Sequence, residues 1–172
     1  MSSDVVIRRA AVGDIPSITE IYNEAVLTTT ATFDTETRSV ADRRAWFDAH
    51  DERHPVLVAV IDGRVVGFAS LTRWSERKAY DDTAETSFYV GSAFRGQGVG
   101  RGLKKALIEE ARRLAYHTLI ARVAQESVES LHLNEAFGFR HVGTLKEVGH
   151  KFGKRLDVHV LQLMLGENDR PA

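Results

Sequence analysis

Arg95-Gly96-Gln97-Gly98-Val99-Gly100-Arg101-Gly102 is the stretch on which the reading of this chain turns. It follows Glu85-Thr86-Ser87-Phe88-Tyr89-Val90, a run with strand character, and precedes Leu103, Ala106, Leu107, Ala111 and Leu114 at helical spacing. Four alternating glycines let the backbone turn tightly and present several N–H groups to one anion. The positive end of the following helix dipole and the flanking Arg95 and Arg101 add to that pull. The segment reads as a cradle for a pyrophosphate.

Two nucleotide readings fail on the letters. A P-loop needs Lys-Ser or Lys-Thr after its last glycine, whereas Gly100 is followed by Arg101-Gly102. A dinucleotide fingerprint needs glycines at its first, third and sixth positions; counting from Gly96 or Gly98, the sixth residue is Arg101 or Leu103. A glycine-rich turn that merely joins strand to helix is the plainer alternative. The wider pattern nevertheless resembles the acetyl-CoA loop of the GNAT N-acetyltransferase superfamily, written Arg/Gln-x-x-Gly-x-Gly/Ala, with Arg95, Gln97, Gly98, Val99, Gly100 and Arg101 matching. That resemblance implies that the loop amides, Gly96 included, hold the CoA pyrophosphate. It also implies that Phe88, Tyr89 and Val90 lie along the pantetheine arm of acetyl-CoA, the co-substrate.

The 172 residues suit one domain, with a frayed tail expected over 166–172. With 23 basic and 24 acidic residues the formal net charge is −1, which points to neither nucleic acid nor an anionic membrane. The absence of cysteine excludes disulfides, thiolate metal sites and an acyl-cysteine intermediate, so transfer would be direct. No apolar run approaches the roughly 20 residues of a membrane span, and Met1-Ser2-Ser3-Asp4 is unlike a signal peptide. A cytoplasmic location is expected.

Outward from the loop, strands are expected over 5–9, 56–61, 65–71 and 83–90, with Asp62-Gly63 as a hairpin turn. Asp14 is a candidate cap for a helix with Pro16 in its first turn, and a second helix should run from residue 39 or 40 to about 50. A strand at 119–123, a helix at 127–137 and two strands around Gly149 and Gly153 complete the order. The class is α/β, and the resemblance implies the GNAT fold, a twisted mixed β-sheet flanked by helices on both faces.

N-acetyl transfer needs a neutral acceptor amine, donors for the tetrahedral oxyanion, and a proton for the departing thiolate. Period-two alternation puts Glu85, Ser87 and Tyr89 on one face of their strand. A carboxylate on a mostly buried strand is paired or used. Glu85 is thus either a salt-bridged or edge-exposed residue or a general base, the latter with backbone N–H groups near Tyr89 and Val90 polarising the thioester.

Upstream, Trp74, Arg77, Ala79, Tyr80, Asp81, Thr83, Glu85 and Tyr89-Val90 resemble the corresponding run of phosphinothricin N-acetyltransferases. Ile7-Arg8-Arg9-Ala10, Thr29-Thr30-Ala31-Thr32-Phe33 and Gly149-His150-Lys151-Phe152-Gly153 extend the match along nearly the whole chain. The resemblance implies acetylation of the α-amino group of a small amino-acid-like amine, phosphinothricin or methionine sulfoximine or sulfone. It implies Arg77 and Tyr80 on the acidic groups, Ser87 beside the amine, Phe33 and Val158 as walls, Glu85 as base, and a homodimer. For Arg77 the plainer reading is a solvated charge run, and for Phe33 and Val158 core packing.

Two positions depart from the family pattern. Asn134 stands where a His is usual, which leaves the thiolate's proton to a water or to Tyr89. Ser127-Val128-Glu129-Ser130 replaces an Asn-x-x-Ser helix motif, so Ser127 and Ser130 would meet the CoA arm with a shorter side chain at the first position. His50 and His54 have helix-ligand spacing but precede or adjoin Pro55, and His132, His141, His150 and His159 fall on different elements, so no metal is expected. Acetylation of another amine, on an antibiotic or a protein N-terminus, and non-catalytic binding of acyl-CoA remain the other readings.

Overall fold

Asp62 and Gly63 sit at left-handed φ values of 49° and 77° and fold β2 (Val56–Ile61) back onto β3 (Arg64–Arg73), the primed-turn geometry of a tight hairpin. In this computed structural model, which describes residues 4–166, that hairpin belongs to a seven-stranded sheet. Apart from Gly166, the expected tail lies outside the described residues. β1 (Val6–Arg9), β4 (Thr83–Val90), β5 (Thr118–Ala124), β6 (Arg140–Lys151) and β7 (Lys154–Met164) complete it in the order β1-β2-β3-β4-β5-β7-β6. Only β4 and β5 are parallel.

Helices cover both faces. α1 (Ile15–Thr28) and α2 (Val40–Asp48) bury Ile18, Tyr22 and Val26 against Val58 and Phe68 on one side. α3 (Val99–Arg113) drives Leu103, Leu107 and Ala111 into Leu57, Leu119 and Leu161 on the other, where α4 (Val128–Ala136) adds Leu131. Each such fully buried leucine contributes roughly 1.5–3 kcal/mol of transfer free energy. The alternation of β2, with Val58 to one face and Leu57 and Ala59 to the other, is what a sheet covered twice requires.

Asp14 does not cap α1. Its carboxylate forks onto Arg8 at 2.7 and 3.0 Å and accepts from the Ala11 N–H, because β1 brings a bidentate partner within reach. Ser39, by contrast, closes a reciprocal capping box with Asp42 at the start of α2.

One irregularity places the site. Thr83, Ala84 and Glu85 pair with Thr118, Leu119 and Ile120, and there the β4–β5 ladder stops. β5 goes on pairing with β7 as far as Ala124, while β4 stays on β3 as far as Val90. The two central strands therefore separate beyond Glu85.

Candidate active site

At the far end of β4 the chain makes one turn of 3-10 helix (Ser92–Phe94) and enters the glycine loop. Gly96 and Gly98 adopt φ values of 71° and 83°, a conformation that L side chains rarely hold, and Gly98 is the N-cap of α3. Helix geometry leaves the amides of Val99, Gly100 and Arg101 without intrahelical acceptors, while Gly102 N–H returns to Gly98 O. Only two of the four glycines serve the turn. Gly100 and Gly102 lie inside α3, where a Cβ would crowd Phe88 at 3.2 Å and Ile7 at 3.0 Å. Val99 is packed in the core, and Gln97 Nε2 turns back to Ala93 O, so these two offer the loop their backbone alone.

A groove of about 780 Å³ runs from this loop along β4 to α4, edged by Val90, Arg95, Gly98, Arg101, Ser127 and Ser130. It meets a second cavity, of about 300 Å³, at Phe88, Tyr89, Ser127 and Ser130. That cavity fills the gap between the separated strands and is lined by Glu85, Ser87, Phe33, Val158, Asn134 and Arg122, among others. The structure thus brings together Glu85, Ser87, Phe33, Val158, Phe88, Tyr89, Ser127, Ser130 and Asn134.

Arg77 and Tyr80 do not join them. Arg77 is exposed in the β3–β4 connection, and Tyr80 lines a separate hollow of about 80 Å³ with Arg53, His54 and Arg73. The connection spans the gap between Arg73 and Thr83, and within one chain neither side chain lines the cavity that holds Glu85.

Glu85 is held by a residue the sequence did not single out. Arg122 on β5 forks onto it, Nε to Oε1 at 2.6 Å and Nη2 to Oε2 at 2.7 Å, with the Trp74 ring 5.9 Å from the guanidinium. The hydrogen bonds to Glu85 hold the Arg122 pKa above its ordinary value. Tyr89 is no ready proton donor: burial pushes its phenol far above the usual tyrosine range, and its ring stacks on Phe68 at 5.3 Å.

Phe33 owes its place to Gly149 on β6, where a Cβ would overlap the ring. The segment carrying Phe33 is pinned by Tyr22 to Asp34 and by Lys151 to Thr32 O at 2.8 Å. Gly149→Ala should therefore swing the ring out of the cavity, raising the acceptor KM several-fold with little change in the acetyl-CoA KM; steady-state kinetics with each substrate varied would read this.

Lys104 also lines the cavity, at 1% exposure, and burial pushes its pKa down to about 7. The unfolded chain therefore binds more protons between about pH 7 and 10.5, so this group makes stability rise with pH across that window. Lys104→Met should raise the melting temperature below pH 7, where the cost of burying the charge is greatest, and lose that advantage above 10.5.

Four of the seven histidines have local partners: His50 with Trp46 O, His54 with Asp51, and His141 and His159 both with Thr144. Among the described residues no group of three His, Cys, Asp or Glu is placed to hold a metal ion, and no helix is long and apolar enough to cross a membrane.

The acetyltransferase (GNAT) family model matches residues 18–139. An L-methionine sulfoximine/L-methionine sulfone acetyltransferase of Salmonella typhimurium is 39% identical, over 96% of this chain and 97% of its own. A phosphinothricin N-acetyltransferase of Streptomyces coelicolor is 34% identical, over 91% and 94%. The solved structure of a GNAT superfamily phosphinothricin acetyltransferase from Sinorhizobium meliloti, in complex with acetyl-CoA, superposes with a TM-score of 0.92 at 33% identity, covering 97% of this chain and 90% of that one. With the glycine loop, the separated strands and the mixed sheet already in place, this chain belongs to the GNAT family, in its methionine sulfoximine/sulfone and phosphinothricin acetyltransferase group, and is an N-acetyltransferase.

Proposed function

We propose that this enzyme transfers the acetyl group of acetyl-CoA directly to the α-amino group of a small amino-acid-like acceptor of the phosphinothricin or methionine sulfoximine/sulfone type. The observation that carries the reading is the junction of groove and cavity at Phe88, Tyr89, Ser127 and Ser130, the first two on the same strand as Glu85 and a few residues beyond it. A CoA pyrophosphate on the amides of residues 96–101 would send its pantetheine arm along β4 to that junction. The acceptor would enter from the Glu85 side, with Phe33 and Val158 as walls and Ser87 beside the amine.

Glu85 acts as general base, directly or through a water, and Arg122 conditions it. The guanidinium takes one acceptor position on each carboxylate oxygen, and the second on each remains to accept from an ammonium. An amino acid draws on both partners of the pair: its carboxylate on Arg122 and its ammonium on a Glu85 oxygen. An amine without an acidic group lacks that lever. The enzyme works as a cytoplasmic homodimer in this reading, and Arg77 and Tyr80, exposed in the single chain, would reach the acceptor's acidic end only in the assembly. Intact-mass spectrometry after acetyl-CoA treatment, with light scattering on the same sample, tests both points. An unmodified dimer agrees; an acetylated chain or a strict monomer contradicts direct transfer or the dimer respectively.

A further inference from the structure

Asn134 cannot exchange a proton near neutral pH, yet the cavity it lines must deliver one to the departing sulfur. Its Nδ2 donates to Ser130 O at 2.8 Å, and its Oδ1 is buried with no hydrogen-bond partner among the described residues. Opposite the β4 backbone, on the buried face of α3, the same cavity holds a primary amine. Lys104 Nζ donates to Thr86 Oγ1 at 2.7 Å and stands 4.1 Å above the centre of the Phe139 ring, while Thr86 Oγ1 donates on to Ile120 O. Among the described residues no carboxylate pairs with it. Glu85 and Tyr89 on β4 and Arg122 on β5 are the other titratable groups in the cavity, and Glu85 and Arg122 are occupied with each other. The β2 and β3 side chains of the core on which α3 packs are apolar.

We propose that Lys104 is the catalytic proton donor to the CoA thiolate, taking the role that Asn134 cannot fill; this rests on the acetyl-transfer reading above. The amine nitrogen forms its bond to the thioester carbon, and the C–S bond breaks as the tetrahedral intermediate collapses. The sulfur's electron pair then takes a proton from the Lys104 ammonium. The acceptor ammonium gives up two protons by way of Glu85 or water, one before the attack and one from the nitrogen after it, and the neutral Lys104 amine is reprotonated from solvent after the thiol departs. One acetyl group moves and one net proton is released. The Asn134 Oδ1 supplies an acceptor for the new S–H.

The chemistry of a buried lysine suits the step. An ordinary ammonium, at 10.5, is a weaker acid than a thiol at about 8.5 and would hold its proton. Burial alone, with no neighbouring charge contributing, brings Lys104 to about 7, so that transfer to a thiolate runs downhill and the acid form is still populated at neutral pH.

Two measurements on the full-length enzyme decide it. In the first, lysine side chains are labelled with carbon-13 and titrated by NMR with CoA and with desulfo-CoA, which lacks the thiol. A resonance titrating near neutrality, absent in Lys104→Met and shifted by CoA but not by desulfo-CoA, is expected. A Lys104 signal indifferent to the sulfur would overturn the proposal, whether or not an acceptor has been found. In the second, kcat is followed against pH with L-methionine sulfone. The wild type should lose rate above neutrality on a limb that Lys104→Met lacks, and the variant's kcat should fall ~100-fold with its acetyl-CoA KM within twofold. An unchanged kcat and profile would overturn it. If no amine is turned over by the wild type, the acceptor assignment fails instead, and the NMR arm still decides the role of Lys104. Should Lys104→Met not fold, the wild-type limb and the CoA against desulfo-CoA comparison remain.

Discussion

Glu85→Gln should lower kcat for an amino-acid acceptor by about 100-fold or more, with the acetyl-CoA KM within twofold. The amide is isosteric and can still accept from Arg122 through its single carbonyl oxygen, so the strands and the cavity should survive. What it removes is the proposed proton acceptor. It also turns one of the two short contacts, at 2.6 and 2.7 Å, into a donor facing a donor, which leaves the guanidinium half-satisfied. The loss should persist at high pH if Glu85 also orients the amine, and shrink there if it serves only to remove the proton. A pH–rate profile of wild type and variant separates the two. Arg122→Met removes the guanidinium on which an acceptor carboxylate would draw, so it should weaken binding of acceptors bearing a carboxylate and leave amines without one far less affected.

The particular residues show which parts of this molecule the sequence discloses. Asp62-Gly63, the α3 periodicity and the glycine loop are local signals, each written within a few residues, and each falls where expected. Glu85, Ser87 and Tyr89 share a face because strand alternation is also local. Arg122 was missed because its meeting with Glu85 depends on the parallel register that sets Glu85 beside Ile120, which no short motif encodes. Lys104 was hidden for a different reason. It adjoins Lys105 on a helix with a charged outer face, and one position of helical rotation separates a solvated lysine from one buried at 1% exposure. Asp14 was read as a cap because Asp before Pro-containing helices usually is one; Arg8 outbids the helix amides for it. Gly100 and Gly102 were counted with the turn, but a close approach of Phe88 and Ile7 accounts for them.

The second large effect is on cofactor capture. Gly98→Val should raise the acetyl-CoA KM about tenfold or more while leaving the acceptor KM nearly unchanged. No atom lies within 4 Å of a Cβ at Gly98, so the penalty is conformational rather than steric: φ there is +83°. A β-branched residue in that region costs roughly 1–2 kcal/mol, and the loop can escape only by rotating the amides that face the groove. Each ~1.4 kcal/mol of lost binding is a tenfold change. Isothermal titration with CoA reads the effect directly. Equal affinity in wild type and variant would show that the pyrophosphate is held elsewhere.

The central claim is that the cavity between β4 and β5 acetylates the α-amine of a small amino-acid-like acceptor. Its most direct test is release of CoA thiol from acetyl-CoA with phosphinothricin, L-methionine sulfoximine and L-methionine sulfone, with the acetylated nitrogen located by NMR. Saturable release with at least one of the three, and the acetyl group on the α-nitrogen, is the predicted result. Release no faster than hydrolysis with all three, from an enzyme that still binds acetyl-CoA, would contradict it.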